Sequence, residues 1–187
     1  MTLSPEQNPV QIYPEDLLNQ EDADRQWRIA HTKSRREKAL ANFLLQNNIA
    51  YYSPMLKTRQ PNKKRVRYSF KPVFSGYIFF KATLQERYTA LRSNQIANVI
   101  DVRNEYKLRQ ELMQIQKAIS LDAPLYPYEY LEEGQEVIVK KGPFKGIQGI
   151  VVKKKGNYRL LLKVSSIFQS IAMDIDADNV EPLEGFR

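Results

Sequence analysis

The apolar positions of this chain change period several times, and each change marks a new element. Trp27-Arg28-Ile29-Ala30-His31 alternates in size and polarity and predicts a short strand. Leu40, Ala41, Phe43 and Leu44 recur at helical spacing through residues 35–47, with Thr32 or Ser34 as the expected cap and Asn47-Asn48 as the stop. Residues 49–53 form a Tyr-rich strand ended by Pro54, and residues 73–81 a strongly apolar, aromatic strand interrupted at Gly76. A short helix over 86–93, a strand over 97–102 and a helix over 106–119 follow, the last with Leu108, Leu112, Ile115 and Ile119 on one side. The order β-α-β-β-β-α-β-α predicts an α+β fold, with helices packed on an antiparallel sheet.

The pattern changes again after residue 120. Pro124 and Pro127 interrupt a stretch of weak periodicity, so residues 121–131 read as a linker. Beyond it come short apolar runs at 137–139, 149–153, 158–164 and 170–175, with Val180 after them and Gly142-Pro143 and Lys145-Gly146 as turn signals. About five short strands in residues 132–187 fit a small β-barrel.

Charge divides the chain further. Residues 1–24 hold six acids, no Lys or Arg, and three prolines, and are expected to be a flexible acidic tail. Residues 25–120 hold 20 Lys and Arg against 5 acids, whereas residues 121–187 hold 9 against 10. The net charge of +8 therefore belongs to one segment, and phosphate backbones are the common polyanion for such a surface. The charge peaks in residues 57–71. Lys57, Arg59, Lys63, Lys64, Arg65, Arg67 and Lys71 occur there without one acid, and Pro61-Asn62 signals a turn, so the run reads as a basic hairpin or long loop. Tyr68 and Phe70 within it are suited to stacking on unpaired bases. Arg35 and Arg36 at the start of the first helix are candidates for further phosphate contacts. Residues 1–24 read first as a disordered leader without a role; the alternative is that they fold back on the basic segment and compete with nucleic acid.

Other chemistry finds little support in the residue pattern. There is no Cys, and the single His31 lacks a nucleophile or paired carboxylate nearby in sequence. Asp174, Asp176 and Asp178 begin like a calcium loop, but Asn179 and Gly185 occupy the positions that need Gly and Glu. No phosphate-binding loop of the G-x-x-x-x-G-K type occurs. No enzyme, cofactor or metal is expected. No apolar run is long enough for a membrane span, the polar N-terminus does not read as a signal peptide, and a cytoplasmic monomer is expected.

Two stretches resemble the NusG family of transcription factors. Phe74-Ser75-Gly76-Tyr77-Ile78-Phe79-Phe80 looks like the family's F-P-G-Y-hydrophobic strand, and Trp27–Thr32 followed by a basic helix start and Glu37 matches the opening of its N-terminal domain. Glu136–Val139, Gly142-Pro143-Phe144-Lys145-Gly146, Gly149-Ile150-Val151 and Ser166-Ile167-Phe168 resemble its KOW domain, a five-stranded SH3-like barrel. The resemblance runs from about residue 25 to 183 in the family's domain order. It implies a transcription elongation or antitermination factor that binds the clamp of RNA polymerase through Phe74, Tyr77 and Phe79. The basic run would lie near upstream DNA, the non-template strand or nascent RNA. A barrel surface at Phe144, Ile167 and Phe168 would meet a ribosomal protein or Rho. Ser75 in place of Pro, and Gln169-Ser170 in place of Gly-Arg, depart from the housekeeping pattern and point to a specialised RfaH-like paralog. The alternative is a KOW-type RNA-binding or ribosome-associated protein.

Overall fold

The structure is a computed structural model that describes residues 8–20, 22–60, 67–130, 134–154 and 156–183. The chain divides into two compact units, Met1–Glu105 and Tyr106–Arg187.

The first unit is built on an antiparallel sheet. Its strands are β1 (Ile12–Tyr13), β2 (Gln26–Thr32), β3 (Ala50–Tyr52), β6 (Tyr77–Ala82) and β7 (Ile96–Asp101), in the order β1-β3-β6-β2-β7. Strands β4 (Met55–Gln60) and β5 (Arg67–Pro72) pair only with each other, as a separate two-stranded hairpin. Side chains alternate across a sheet, so Ile78, Phe80 and Ala82 of β6 share one face with Ala30 of β2. That face packs against helix α1 (Glu37–Gln46) through Leu40, Ala41 and Leu44, and against Ala90 of helix α2 (Leu84–Arg92). Helix α2 starts at a capping box: Thr83 accepts the Glu86 N–H, and the Glu86 carboxylate accepts the Thr83 N–H.

The expected helix cap is absent. Neither Thr32 nor Ser34 caps α1; Arg36 occupies the N-cap and makes no side-chain capping bond. A turn closed by the Arg36 N–H on the Lys33 carbonyl, with Arg35 at φ +59°, delays the helix start to Glu37.

Residues 8–20 are not a flexible tail. Strand β1 pairs with the edge of β3, the Gln11 carbonyl accepts the Ser53 N–H, and Leu17 and Leu18 are buried. Burial pushes the Tyr51 phenol up to about 12, and its hydroxyl donates to the Val10 carbonyl at 2.8 Å. Arg25 ties this segment to α2, donating to Asp22 on one side and to both carboxylate oxygens of Glu86 on the other, at 2.8–3.1 Å. Polar and acidic composition marked the segment as tail. Its few apolar residues nevertheless sit where an uncovered sheet edge requires them.

The second unit holds helix α3 (Glu105–Ser120) and six antiparallel strands: β8 (Tyr126–Tyr128), β9 (Gln135–Val139), β10 (Gln148–Lys154), β11 (Asn157–Val164), β12 (Gln169–Ile175) and β13 (Val180–Pro182). Their order is β13-β9-β10-β11-β12-β8. Five strands were expected; the sixth, β8, comes from residues read as linker. Pro127 fits because β8 is an edge strand, where a missing N–H leaves no ladder bond broken. Leu108, Leu112, Ile115 and Ala118 are buried along one side of α3. From the same helix, Glu111 accepts from the Ser165 N–H and hydroxyl, Gln114 accepts the Gln148 N–H, and Lys117 donates to the Gly146 carbonyl. This helix therefore groups with the C-terminal strands, whereas the sequence boundary had placed it in the first segment. Gly149 lies within β10, and a Cβ there would stand 2.4 Å from the Leu161 carbonyl oxygen.

Candidate nucleic-acid and protein interface

The β4–β5 hairpin is the most distinctive surface of the first unit. Its register pairs Lys57 with Phe70 and Arg59 with Tyr68. Directly opposed residues share a face and i, i+2 neighbours join them, so positions 55, 57, 68, 70 and 72 line one side of the ribbon. On that side the Lys57 ammonium lies 4.4 Å from the centre of the Tyr68 ring, and Tyr68 is 47% exposed. A cation held against an exposed aromatic ring combines the two contacts a single nucleic-acid strand offers, phosphate and base. On the opposite side Thr58 and Ser69 meet through their hydroxyls at 2.7 Å, which fixes the register. Lys71 is exposed. Lys63, Lys64 and Arg65, expected to carry phosphate contacts, lie outside the described residues.

The second candidate surface is the end of the main sheet near Gly76. Tyr77 is half-buried and stacks on His31, the ring centres 5.1 Å apart and the planes 21° from parallel. The other two expected anchors do not join it at the surface. Phe79 is 0% and Phe74 2% exposed, and the two rings meet edge to face at 6.0 Å. Central position in the sheet explains this: Phe79 is flanked by Ile29 of β2 and Tyr52 of β3. Of the three, Tyr77 alone keeps part of its ring at the surface, while Phe74 and Phe79 pack on each other inside.

Glu37 holds this loop, a role that its identity as a helix-start acid did not reveal. The side chain is buried, and Oε1 accepts the Gly76 N–H at 2.8 Å. The Gly76 carbonyl accepts the Thr32 N–H at 2.8 Å. Gly76 itself sits at φ +84°, a region that side-chain-bearing residues avoid. Arg35 and Arg36 are exposed on the turn that precedes α1. His31 is a packing residue against Tyr77.

In the C-terminal unit the expected partner residues separate. Ile167 is buried and Phe144 half-buried, whereas Phe168 is 67% exposed at φ +52°, its ring edge to face with Tyr130 at 5.5 Å. Asp174 accepts from the Tyr126 hydroxyl at 2.7 Å and from Arg159, so it serves the strand surface. Among the described residues no group of three or more His, Cys, Asp or Glu is placed to hold a metal ion, and no helix is long and apolar enough to cross a membrane.

Comparison with individually curated proteins returned no match. A family profile does match. It is described as transcription termination factor NusG, and it covers residues 25–118, the span from the start of β2 almost to the end of α3. Its members are non-enzymatic transcription elongation and termination factors that generally bind RNA polymerase. The match takes in just over half of the chain, including the Gly76 loop, the basic hairpin and both helices packed on the main sheet, and the chain therefore belongs to the NusG family.

Proposed function

We propose that this protein rides on RNA polymerase as an elongation or antitermination factor of the specialised RfaH-like kind, suppressing pausing or termination. The observation that carries the reading is the β4–β5 hairpin, a separate ribbon with Lys57 over Tyr68, set within a NusG-family domain. Tyr77 is the anchor for the polymerase clamp; one aromatic side chain in a shallow groove can dominate an interface. The hairpin, with Arg35 and Arg36, holds the upstream duplex, the non-template strand or nascent RNA. The C-terminal strands form a KOW-type barrel, and Phe168 is its contact for a ribosomal protein or Rho. The factor acts through binding free energy alone, favouring the elongating state of polymerase.

The test is transcription in vitro with purified polymerase, comparing wild type with Tyr77→Ala. Wild type is expected to shorten pauses or raise read-through, and Tyr77→Ala to lose most of that effect while still binding nucleic acid. A wild-type protein without effect on pausing or termination would overturn the reading. Retention on ribosomes without polymerase would favour a ribosome-associated role instead.

A further inference from the structure

A cleft opens at the base of the hairpin, on the face that carries Lys57 and Tyr68. Its volume is about 550 Å³, and its lining includes Val10, Gln11, Tyr13, Glu15, Met55 and Phe70. That volume lies in the range of small-molecule sites, about 300–1,000 Å³. Met55 and Phe70 occupy the same face of the ribbon as Lys57 and Tyr68, so the path from the exposed tyrosine runs along one side of β5 into the cleft. The other wall comes from residues 8–15, which precede the span matched by the family profile.

The two ends of this path differ in charge. The hairpin is cationic, whereas the cleft has apolar and aromatic walls and one exposed carboxylate, Glu15. A phosphate is unfavourable beside Glu15, but an uncharged base is not. The polar groups also match a base edge. The Met55 N–H holds the Gln11 side-chain oxygen at 2.8 Å, which leaves the Gln11 amide group to act as a donor. Glu15 supplies an acceptor suited to an exocyclic amine, as Glu does for the amino group of cytosine.

We infer that this cleft binds one unpaired nucleobase bearing an exocyclic amine, from a single strand whose neighbouring phosphates and bases lie on the hairpin. The inference rests on the nucleic-acid reading of the hairpin. It adds a base-selective site built by the N-terminal segment, so the protein reads sequence as well as charge.

Short oligodeoxycytidine and oligodeoxythymidine probes separate the two ideas, with the ribo-cytidine and ribo-uridine strands run in parallel to distinguish DNA from RNA. Wild type is expected to prefer cytidine over thymidine or uridine by about fivefold, from one hydrogen bond to a charged group at a partly exposed site. Val10 is 52% exposed, so Val10→Trp fills the cleft without disturbing the core. It should abolish the preference while leaving the salt dependence of binding unchanged. Glu15→Ala should also abolish it, by lowering cytidine binding to the thymidine level. Equal binding of the two bases by wild type, or a preference that survives Val10→Trp, overturns the base site even if the hairpin binds strands. Failure of the hairpin reading looks different: no strand binds, or Lys57→Ala and Tyr68→Ala leave every affinity and salt slope as in wild type. Thermal melts of each variant establish that it is folded.

Discussion

Replacing Glu37 with Ala removes the acceptor of the Gly76 N–H, and the structure sets the size of the loss. The bond is 2.8 Å long and Glu37 is 9% exposed, so water cannot readily take the place of the carboxylate. Hydrogen bonds with one ionised partner contribute about 1.5–3 kcal/mol. The cost of burying the carboxylate offsets part of this, so about 2 kcal/mol is expected here. With a urea dependence of about 2 kcal/mol per M, the unfolding midpoint of the first unit should fall by about 1 M. Glu37→Gln keeps an oxygen at the same point and retains a neutral hydrogen bond of about 1 kcal/mol, so its midpoint should fall by roughly half as much. Amide exchange at Gly76 should accelerate in the Ala variant, since that N–H becomes an orphan. The reasoning is refuted if Glu37→Ala unfolds at the wild-type midpoint, or if Gln is as damaging as Ala.

The other predictions concern packing and pH. Leu17→Ala should destabilise the first unit by about 2–5 kcal/mol in chemical denaturation, because Leu17 is buried in a folded segment; a flexible tail would give no change. Gly149→Ala should cost more than Gly142→Ala in the same measurement, because its Cβ meets the Leu161 carbonyl at 2.4 Å whereas space beside Gly142 is open. Gly142, at φ +79°, should lose only about 1 kcal/mol from backbone strain. Arg25, through its paired hydrogen bonds, holds the Glu86 carboxyl below its usual range, so its contribution is complete above the unfolded value of about 4.3 and is lost as pH falls through the folded value. Urea midpoints of wild type and Glu86→Gln should therefore converge as pH drops below about 4. Glu111 titrates in the opposite sense: burial raises its carboxyl, so the stability it contributes is present in acid and lost as pH rises through the folded value. Glu111→Gln should change the pH profile of the second unit with the sign opposite to Glu86→Gln in the first.

Much of this protein was legible in its residue order because the signals were local. The period-2 run at Trp27–His31 and the helical spacing of Leu40, Ala41 and Leu44 each specify an element through its own backbone and faces. The aromatic strand and the basic run also led to the Gly76 loop and the hairpin as candidate surfaces. Burial was not legible, because it depends on strand order. Phe74, Tyr77 and Phe79 look equivalent in sequence, yet the central place of β6 buries Phe79, Phe74 packs on Phe79 from the preceding loop, and Tyr77 is left at the sheet end against His31. Ile167 and Phe168 are adjacent, and a single left-handed residue turns one inward and the other out. The N-terminal segment shows the same limit from the other side. Its composition is that of a tail, and only the presence of an open β3 edge, with a core that accepts Leu17 and Leu18, converts it into a strand and one wall of a cleft. Sequence determined the central strands, the helices, the basic run and the likeness to NusG, but not strands β1 and β8. Tertiary structure decided which aromatic residues face outward, since exposure is a property of neighbours that the chain brings together only when it folds.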